Sequence, residues 1–336
     1  MCARIAIVYN EPLPGKYQST GEEKAVLGVM ESVNAVKKSL IELNYEVFQI
    51  PLALPIEQAY ERLNALPVDV VFNLFEGFPG FPETEVLIPK FLAEKGTIFT
   101  GCSSKSLKLA LDKVKTKEVL INAGIRTPAY QLLKPETVSS FNLEYPCIVK
   151  PSAEDASHGL TEDSLVFDYT ALIRQINLIC SYYGGQALIE EFVNGKEFNA
   201  TVLGNIHYTV LPISEIAYNL PPNKPRILTF AAKWDQESFY YRNTPVICPA
   251  IIDNVTKNGI NQVTLEAFQL IIGQGYARVD MRLDSAGNVN VIEVNPNPDI
   301  SPNAGAARQA NAAGMNYTQF IEKIIFLALE KREYGN

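Results

Sequence analysis

Histidine is nearly absent. His158 and His207 are the whole supply, too few for a zinc centre or a histidine-based catalytic triad. The five cysteines, Cys2, Cys102, Cys147, Cys180 and Cys248, are odd in number, widely spaced and never set as CxxC. A disulfide framework is thereby disfavoured and free thiols in a reducing cytosol are expected. No apolar run reaches membrane length, and residues 3 to 9 are too few for a signal h-region, so a cytoplasmic protein with no membrane partner is expected. Positive charge is also scarce: the net charge of −8 carries no electrostatic signature for nucleic acid or an anionic surface. Both GxGxxG and GxxxxGK[ST] are missing, since the loop after the first apolar run reads Asn10-Glu11-Pro12-Leu13-Pro14-Gly15.

What is present suits an ordinary globular protein. With 336 residues, 47% of them apolar and 20% charged, the chain has room for about two or three domains. Arg4 to Tyr9 reads as a buried strand and Glu22 to Leu43 carries helical periodicity. Strands at Tyr45 to Ile50, Val68 to Phe75 and Thr97 to Phe99 alternate with helices near Glu57 to Asn64 and Glu83 to Glu94, which predicts an open parallel sheet covered by helices. From about Ser104 the pattern becomes α+β. Two short helices lead to a strand at Tyr145 to Lys150, a polar loop to Gly159, a strand near Leu165, a helix from Tyr169 to Tyr183 and a strand from Ala187 to Phe192. Several strands follow from Phe198, then a helix at Val263 to Ile272 and a closing amphipathic helix at Asn316 to Leu329. The expected units are 1–104, 105–192 and 193–336.

The most informative stretch is Tyr276 to Leu283 followed, after Asp284-Ser285-Ala286-Gly287-Asn288, by Val289 to Pro296. Two alternating runs about a Gly/Asn turn read as a β-hairpin, with Arg278 and Asp280 on one face and Glu293 and Asn295 on one face. A four-residue loop from Ser285 to Asn288 sets Asp280 opposite Glu293 and Arg278 opposite Asn295. Facing carboxylates repel. A hard cation between them removes the repulsion, and two carboxylates with an Asn carbonyl are the oxygen ligands Mg²⁺ takes beside nucleotide phosphates. On this reading, deleting one carboxylate leaves metal-free stability unchanged or raised. The alternative is a solvated polar face with the register shifted by one.

Further segments precede the hairpin. Asp112-Lys113-Val114-Lys115-Thr116-Lys117 is followed by Ala123-Gly124-Ile125-Arg126-Thr127-Pro128, by Ile148-Val149-Lys150-Pro151 running on to Ser157-His158-Gly159, and by Ile189-Glu190-Glu191-Phe192-Val193 running on to Glu197. Lys150 ends an apolar strand beside a polar loop, where an ammonium can meet phosphate as a point charge. Lys113, taken alone, reads as a solvated helix charge. The loop Ser152 to Gly159 offers backbone N–H groups and the Ser157 hydroxyl to phosphates, or is a surface turn. Trp234, in Ala231-Ala232-Lys233-Trp234, reads as packing.

In this order and spacing the segments and the acidic hairpin resemble the ATP-grasp superfamily, and within it the D-alanine–D-alanine ligases, from about Thr100 to Leu329. The fold class implied is α/β and α+β, an ATP-grasp fold with an N-terminal open parallel-sheet domain. The resemblance implies ATP and Mg²⁺, with Mn²⁺ as the alternative metal. It assigns Lys113, Lys150 and Ser157 to phosphates, Glu190 and Val193 to adenine, Glu197 to ribose, and Asp280, Glu293 and Asn295 to the metal. Lys233 would reach the γ-phosphate or acyl phosphate, and Arg278 the tetrahedral oxyanion. The implied partners are a small-molecule carboxylate and an amine or amino acid, joined through an acyl phosphate; a homodimer is left open.

The sequence also departs from those ligases. Glu76 stands where they carry His, Ala156 where the lid has Ser, Asp299 where they usually have Gly, and Ala304 where a Ser aligns. Their N-terminal Glu motif has no clear match, with Glu22 or Glu23 as substitutes. The expectation is a D-alanine–D-alanine ligase-like enzyme of altered specificity, with Glu76, Asp299 and Ser301 as candidate substrate contacts. A genuine D-alanine–D-alanine ligase of peptidoglycan synthesis, an ATP-grasp enzyme phosphorylating or carboxylating a molecule with no amine acceptor, and a nucleotide binder without turnover remain as alternatives.

Overall fold

A computed structural model describes residues 3–12, 23–78, 80–152 and 157–334. The first sheet is parallel, in the order β2-β1-β3-β4, with β1 at Arg4–Asn10, β2 at Glu46–Leu52, β3 at Val70–Leu74 and β4 at Ile98–Phe99. Alternate residues of β1 feed two cores: Ile5 and Ile7 pack on one side, Ala6 and Val8 on the other. A strand apolar on both faces needs cover on both, as in helix-flanked parallel sheets. Helix α1 (Glu23–Glu42) lies in one layer, and α2 (Ile56–Asn64) and α3 (Leu87–Glu94) form the other.

Helices α4 (Ser104–Leu111) and α5 (Lys113–Asn122) lead into a second, antiparallel sheet. Its order is β5-β8-β6-β7, with β5 at Tyr130–Leu133, β6 at Cys147–Pro151, β7 at Leu165–Val166 and β8 at Ala187–Glu191. Helix α6 (Tyr169–Tyr183), capped by Asp168 accepting from the Ala171 N–H at 2.8 Å, covers one face through Leu172, Ile176 and Ile179.

The third sheet is antiparallel and six-stranded. Its strands are β9 (Glu197–Gly204), β10 (Thr209–Val210), β11 (Ser214–Ile216), β12 (Val246–Ile247), β13 (Gly275–Leu283) and β14 (Val289–Asn295), in the order β12-β11-β9-β13-β14 with β10 beside β9. Two short helices, α7 (Phe230–Trp234) and α8 (Phe239–Asn243), precede β12; α9 (Asn254–Ile271), α10 (Gly305–Ala312) and α11 (Tyr317–Tyr334) complete the chain. Ala277, Val279 and Met281 of β13 are buried in a core shared with Leu107 and Leu120 of α4 and α5 and with Ile260 and Phe268 of α9. Side chains alternate on a strand, so Arg278, Asp280 and Arg282 go to the other face. Phe320, Ile321 and Ile324 of α11 join this sheet to the first by packing with Ile5, Val33 and Tyr276.

Three short helices, α7, α8 and α10, and the strand β5 go beyond the sequence expectations. Helix α9 starts at Asn254 rather than Val263, because Asp253 caps it through the Val255 and Thr256 N–H groups at 2.9 Å while its first turns are polar and exposed. The hairpin also differs in detail. Its turn is the five residues 284–288, not four, with the Asp284 carboxylate accepting from the Ala286 and Asn288 N–H groups at 2.9 Å each. A bulge between Asp280 and Met281 then restores the pairs Asp280–Glu293 and Arg278–Asn295. The expected register holds at the site, through a compensating irregularity.

Candidate active site

Helix α5 is capped by Asp112, whose carboxylate accepts from the Lys115 N–H at 3.0 Å. From that start Lys113, Thr116, Lys117 and Leu120 form one buried face, the i, i+3, i+4, i+7 stripe, while Lys115 stays exposed. The face meets the ends of the second and third sheets. There a cavity is lined by Lys113, Lys150, Ser157, Glu190, Val193, Glu197, Asp280 and Glu293, with His158, Phe192, Arg282 and Ile292 among the other walls. Ile292 and Glu293 are adjacent in sequence yet both reach this cavity, which the bulge permits; Val291 and Val294 on either side stay in the core.

The facing carboxylates do not confront each other unpaired. Arg278 grips Asp280 with two parallel bonds, Nε to Oδ1 at 2.6 Å and Nη2 to Oδ2 at 2.7 Å, and the Asn295 amide donates to Asp280 Oδ2 at 3.0 Å. Lys113 pairs with Glu293. The repulsion anticipated from sequence is therefore relieved by cations of the chain itself, and the expectation that deleting either carboxylate leaves stability unchanged or raised is corrected: it takes an acid partner away from a largely buried cation. Burial disfavours the charge of Glu293, but Lys113, Lys150 and Arg278 outweigh it and hold the carboxyl well below its usual range. Burial likewise works against Arg278, and Asp280 outweighs it to raise its pKa.

A second charged group lies across the cavity. Glu190, only 2% exposed, is bracketed by Lys117 on Oε1 and Lys150 on Oε2, each at 2.8 Å. Burial raises its pKa, but the two ammonium groups prevail and the net shift is downward. Burial, with help from Lys150, lowers the pKa of Lys117. Thr127 Oγ1 accepts from Lys117 at 2.7 Å. The Glu190 side chain is thus committed to lysines. Glu197 is anchored by Tyr218 Oη at 2.7 Å and Arg282 Nη1 at 3.0 Å, and burial still raises its carboxyl. Arg282 in turn lies 4.5 Å from the Phe192 ring.

Ser157 adopts φ 63° at the loop that follows β6, and the next residue, His158, is buried beside the Phe230 ring at 5.3 Å. The Phe230 N–H donates to the Leu160 carbonyl at 3.0 Å, tying this loop to α7. On α7, burial and the neighbouring Arg278 lower the pKa of Lys233, while Asp299, Asp280 and Glu293 oppose them. Trp234 packs over Gly28 of α1, where a Cβ would lie 3.2 Å from the indole. Asp299 Oδ1 accepts from Ser32 of α1 at 3.2 Å and from the Ser301 N–H at 2.8 Å. Glu76 is exposed, with its N–H on the Asn10 side chain at 3.4 Å, and does not line the cavity. Ala156 and Glu22 lie outside the described residues, as does the Glu23 side chain.

Sequence reasoning did not single out Lys117, Arg282 and Tyr218. Lys117 carried a signal, four residues after Lys113 on one helix face, and Arg282 continues the alternation of Arg278 and Asp280. Tyr218 sits in an irregular stretch and carried none.

Comparison with known proteins agrees with this geometry. The family model described as D-ala D-ala ligase C-terminus matches residues 119–326. An uncharacterised protein of Sinorhizobium fredii is 33% identical over 268 residues, 80% of this chain and 76% of that protein. The D-alanine–D-alanine ligase of a Marinomonas species is 28% identical over 90% of this chain and 91% of its own. Among solved structures, the D-alanine–D-alanine ligase of Bacillus anthracis complexed with ATP superposes with a TM-score of 0.75 over the whole of both chains at 20% identity, a likeness of fold. The chain adopts the ATP-grasp fold and belongs to the D-alanine–D-alanine ligase C-terminal family, whose members are ATP-dependent ligases that form C–N bonds.

Proposed function

We propose that the protein activates a carboxylate substrate with ATP and joins it to an amine, with a specificity different from that of the D-alanine–D-alanine ligases. The observation that carries this is the cavity between the second and third sheets, where Lys113 and Lys150 converge with the Asp280–Glu293 pair. In the first step a substrate carboxylate oxygen takes the γ-phosphoryl group, ADP leaves, and an acyl phosphate results. In the second the amine nitrogen attacks the acyl carbon, phosphate departs with the C–O electron pair, and the nitrogen gives its surplus proton to the departing phosphate or to solvent. Lys113 and Lys150 orient the phosphates as point charges, and Lys233 serves the transferred group. Arg278, kept cationic by Asp280, supports the tetrahedral oxyanion. Val193, just past β8, and Glu197 address the base and ribose, and Ser157 the phosphates.

Two carboxylates and the Asn295 carbonyl form a hard-oxygen donor set that fits a divalent ion. Asp280, Glu293 and Asn295 would hold it. Mg²⁺, with Mn²⁺ as substitute, would neutralise phosphate charge there.

The altered specificity rests on the far end of the site. Asp299 has Oδ1 fixed by Ser32 and Ser301, while Oδ2 makes no hydrogen bond among the described residues. Ala304, at the N-cap of α10, offers no side-chain hydroxyl. The Asp299 charge is felt by Lys233 and Arg278, and Oδ2 is left to take a donor from a substrate. We therefore assign at least one substrate to amines or amino acids larger or more cationic than alanine, with no free α-carboxylate required of the acceptor. Glu76 and Ser301 are proposed to border it. The units 1–104, 105–192 and 193–336 and a cytoplasmic location belong to the same proposal; no helix among the described residues is long and apolar enough to cross a membrane. Incubation with ATP, Mg²⁺ and D-alanine, alone and with a panel of diamines and basic amino acids, tests it. ADP release that needs the larger amines supports the reading. Efficient D-alanyl-D-alanine formation replaces it with a genuine D-alanine–D-alanine ligase, and ADP release without any amine replaces it with a kinase-type activity.

A further inference from the structure

The two lysines assigned to phosphate both begin on carboxylates, but in unequal company. Lys150 shares Glu190 with Lys117, and Lys117 is fixed independently by Thr127 Oγ1 at 2.7 Å and lies 5.6 Å from the Tyr130 ring. When Lys150 turns to a phosphate, Glu190 keeps a cation. Glu293 makes one ion pair among the described residues, to Lys113, with Lys150 and Arg278 acting on it through their charge. When Lys113 turns to a phosphate, Glu293 loses its contact partner. Conversely, a divalent ion arriving alone at Glu293 must displace an ammonium whose side chain is only 8% exposed. An ammonium and a divalent ion repel when both are held against one carboxylate, so the lysine opposes the metal's entry.

We propose, on the strength of the metal and phosphate roles given above, that Lys113 is an internal counter-ion for Glu293. It blocks the divalent ion until nucleotide phosphate draws the lysine away. Metal and nucleotide binding are then coupled through the Lys113–Glu293 pair, and Lys117 makes the Lys150–Glu190 pair indifferent to metal. Because coupling between two ligands is reciprocal, the block also weakens nucleotide binding when metal is absent.

The test is binding of Mn²⁺, read by paramagnetic resonance of the free ion, with and without saturating ADP. Wild type should bind Mn²⁺ weakly alone and at least about tenfold more tightly with ADP. Lys113→Met should bind Mn²⁺ alone at least about tenfold more tightly than wild type, an increase in metal affinity on removing a phosphate-binding lysine. Lys113→Gln, which keeps a hydrogen-bonding head without charge, should do the same, and a larger rise in Tm on adding Mn²⁺ reports it should one variant fold poorly. Lys115→Met removes the same charge from the exposed side of α5 and should leave Mn²⁺ affinity as in wild type. Glu293→Gln separates the two ideas. If it leaves Mn²⁺ binding with ADP unchanged, the metal assignment falls and the counter-ion with it. If it abolishes that binding while both Lys113 variants bind Mn²⁺ alone no better than wild type, the counter-ion proposal alone is overturned.

Discussion

The end of the site proposed for the nucleotide and the end proposed for the acceptor are built from different materials. At the nucleotide end, strands and helices of two sheets bring lysine and arginine onto carboxylates until each acid there has a cation, as Asp280 has Arg278, Glu293 has Lys113 and Glu190 has Lys117 and Lys150. At the acceptor end, loops and helix ends supply single groups: Trp234 over Gly28, Asp299 held by one serine hydroxyl and one backbone N–H. A charge network that must hold itself together constrains the fold as well as the chemistry. Groups held by fewer bonds constrain both less. On the proposed assignment, substrate choice can drift at the acceptor end while ATP chemistry stays fixed.

That contrast can be broken by mutation. Asp280→Asn should lower ADP release at least about 100-fold, because it removes a proposed metal ligand and the acid that orients Arg278. It should also lower stability in urea unfolding by about 3 kcal/mol, the usual cost of stranding a buried charge. A variant as stable as wild type would mean that the Arg278–Asp280 pair is ornamental. Lys117→Met touches no proposed ligand, yet should cost about 1–3 kcal/mol, because Glu190, 2% exposed, is left with Lys150 alone and the Thr127 hydroxyl loses its donor. A loss under about 1 kcal/mol would show that Lys150 alone suffices.

Lys150→Ala should weaken ATP binding about tenfold by calorimetry, with little change in stability because Lys117 remains. Acid offers a milder probe. The Glu190 carboxyl lies below its ordinary value of 4.5, so its stabilising contribution is present above that pH and is lost as pH falls through 4.5 towards the depressed value. Thermal scans should show Tm falling in that window, and falling less in Glu190→Gln. At the acceptor end, Asp299→Asn keeps an oxygen for Ser32 and Ser301, so stability should move by less than about 1 kcal/mol. The effect should appear in KM for the amine while KM for ATP stays constant. A raised KM for ATP would merge the two ends into one.

The difference also governs how much of the molecule can be read from sequence. Alternation in residues 276–283 exposes the strand, its charged face and its buried face, because the pattern is local. Helix α6 is legible at both ends for the same reason, with Asp168 before it and Gly184 after it. The pairing of Lys113 with Glu293 spans 180 residues, and no local pattern records it. Reading the acidic pair as mutually repulsive followed from seeing the carboxylates and not the lysines that a distant helix delivers. Helix α9 was legible only in its second half, where burial imposes a period; its first turns rest on a cap. The bulge left a trace that the hairpin reading passed over: Val289, Val291 and Val294 share the core side although their spacing breaks strict alternation.

That break makes Ile292 expendable in chain length. With Ile292 deleted, Val291 would be followed directly by Glu293, and the pairs Met281–Val291 and Asp280–Glu293 would become consecutive rungs of a regular ladder. All other pairings of the hairpin would survive, and the apolar phase would become uniform. A one-residue deletion in the middle of a strand is ordinarily ruinous because it turns every later side chain over. Here it would subtract one methyl-bearing wall from the cavity and leave the acids on their side of the sheet. A chain one residue shorter at this point would therefore keep the same partner at every other rung of the hairpin.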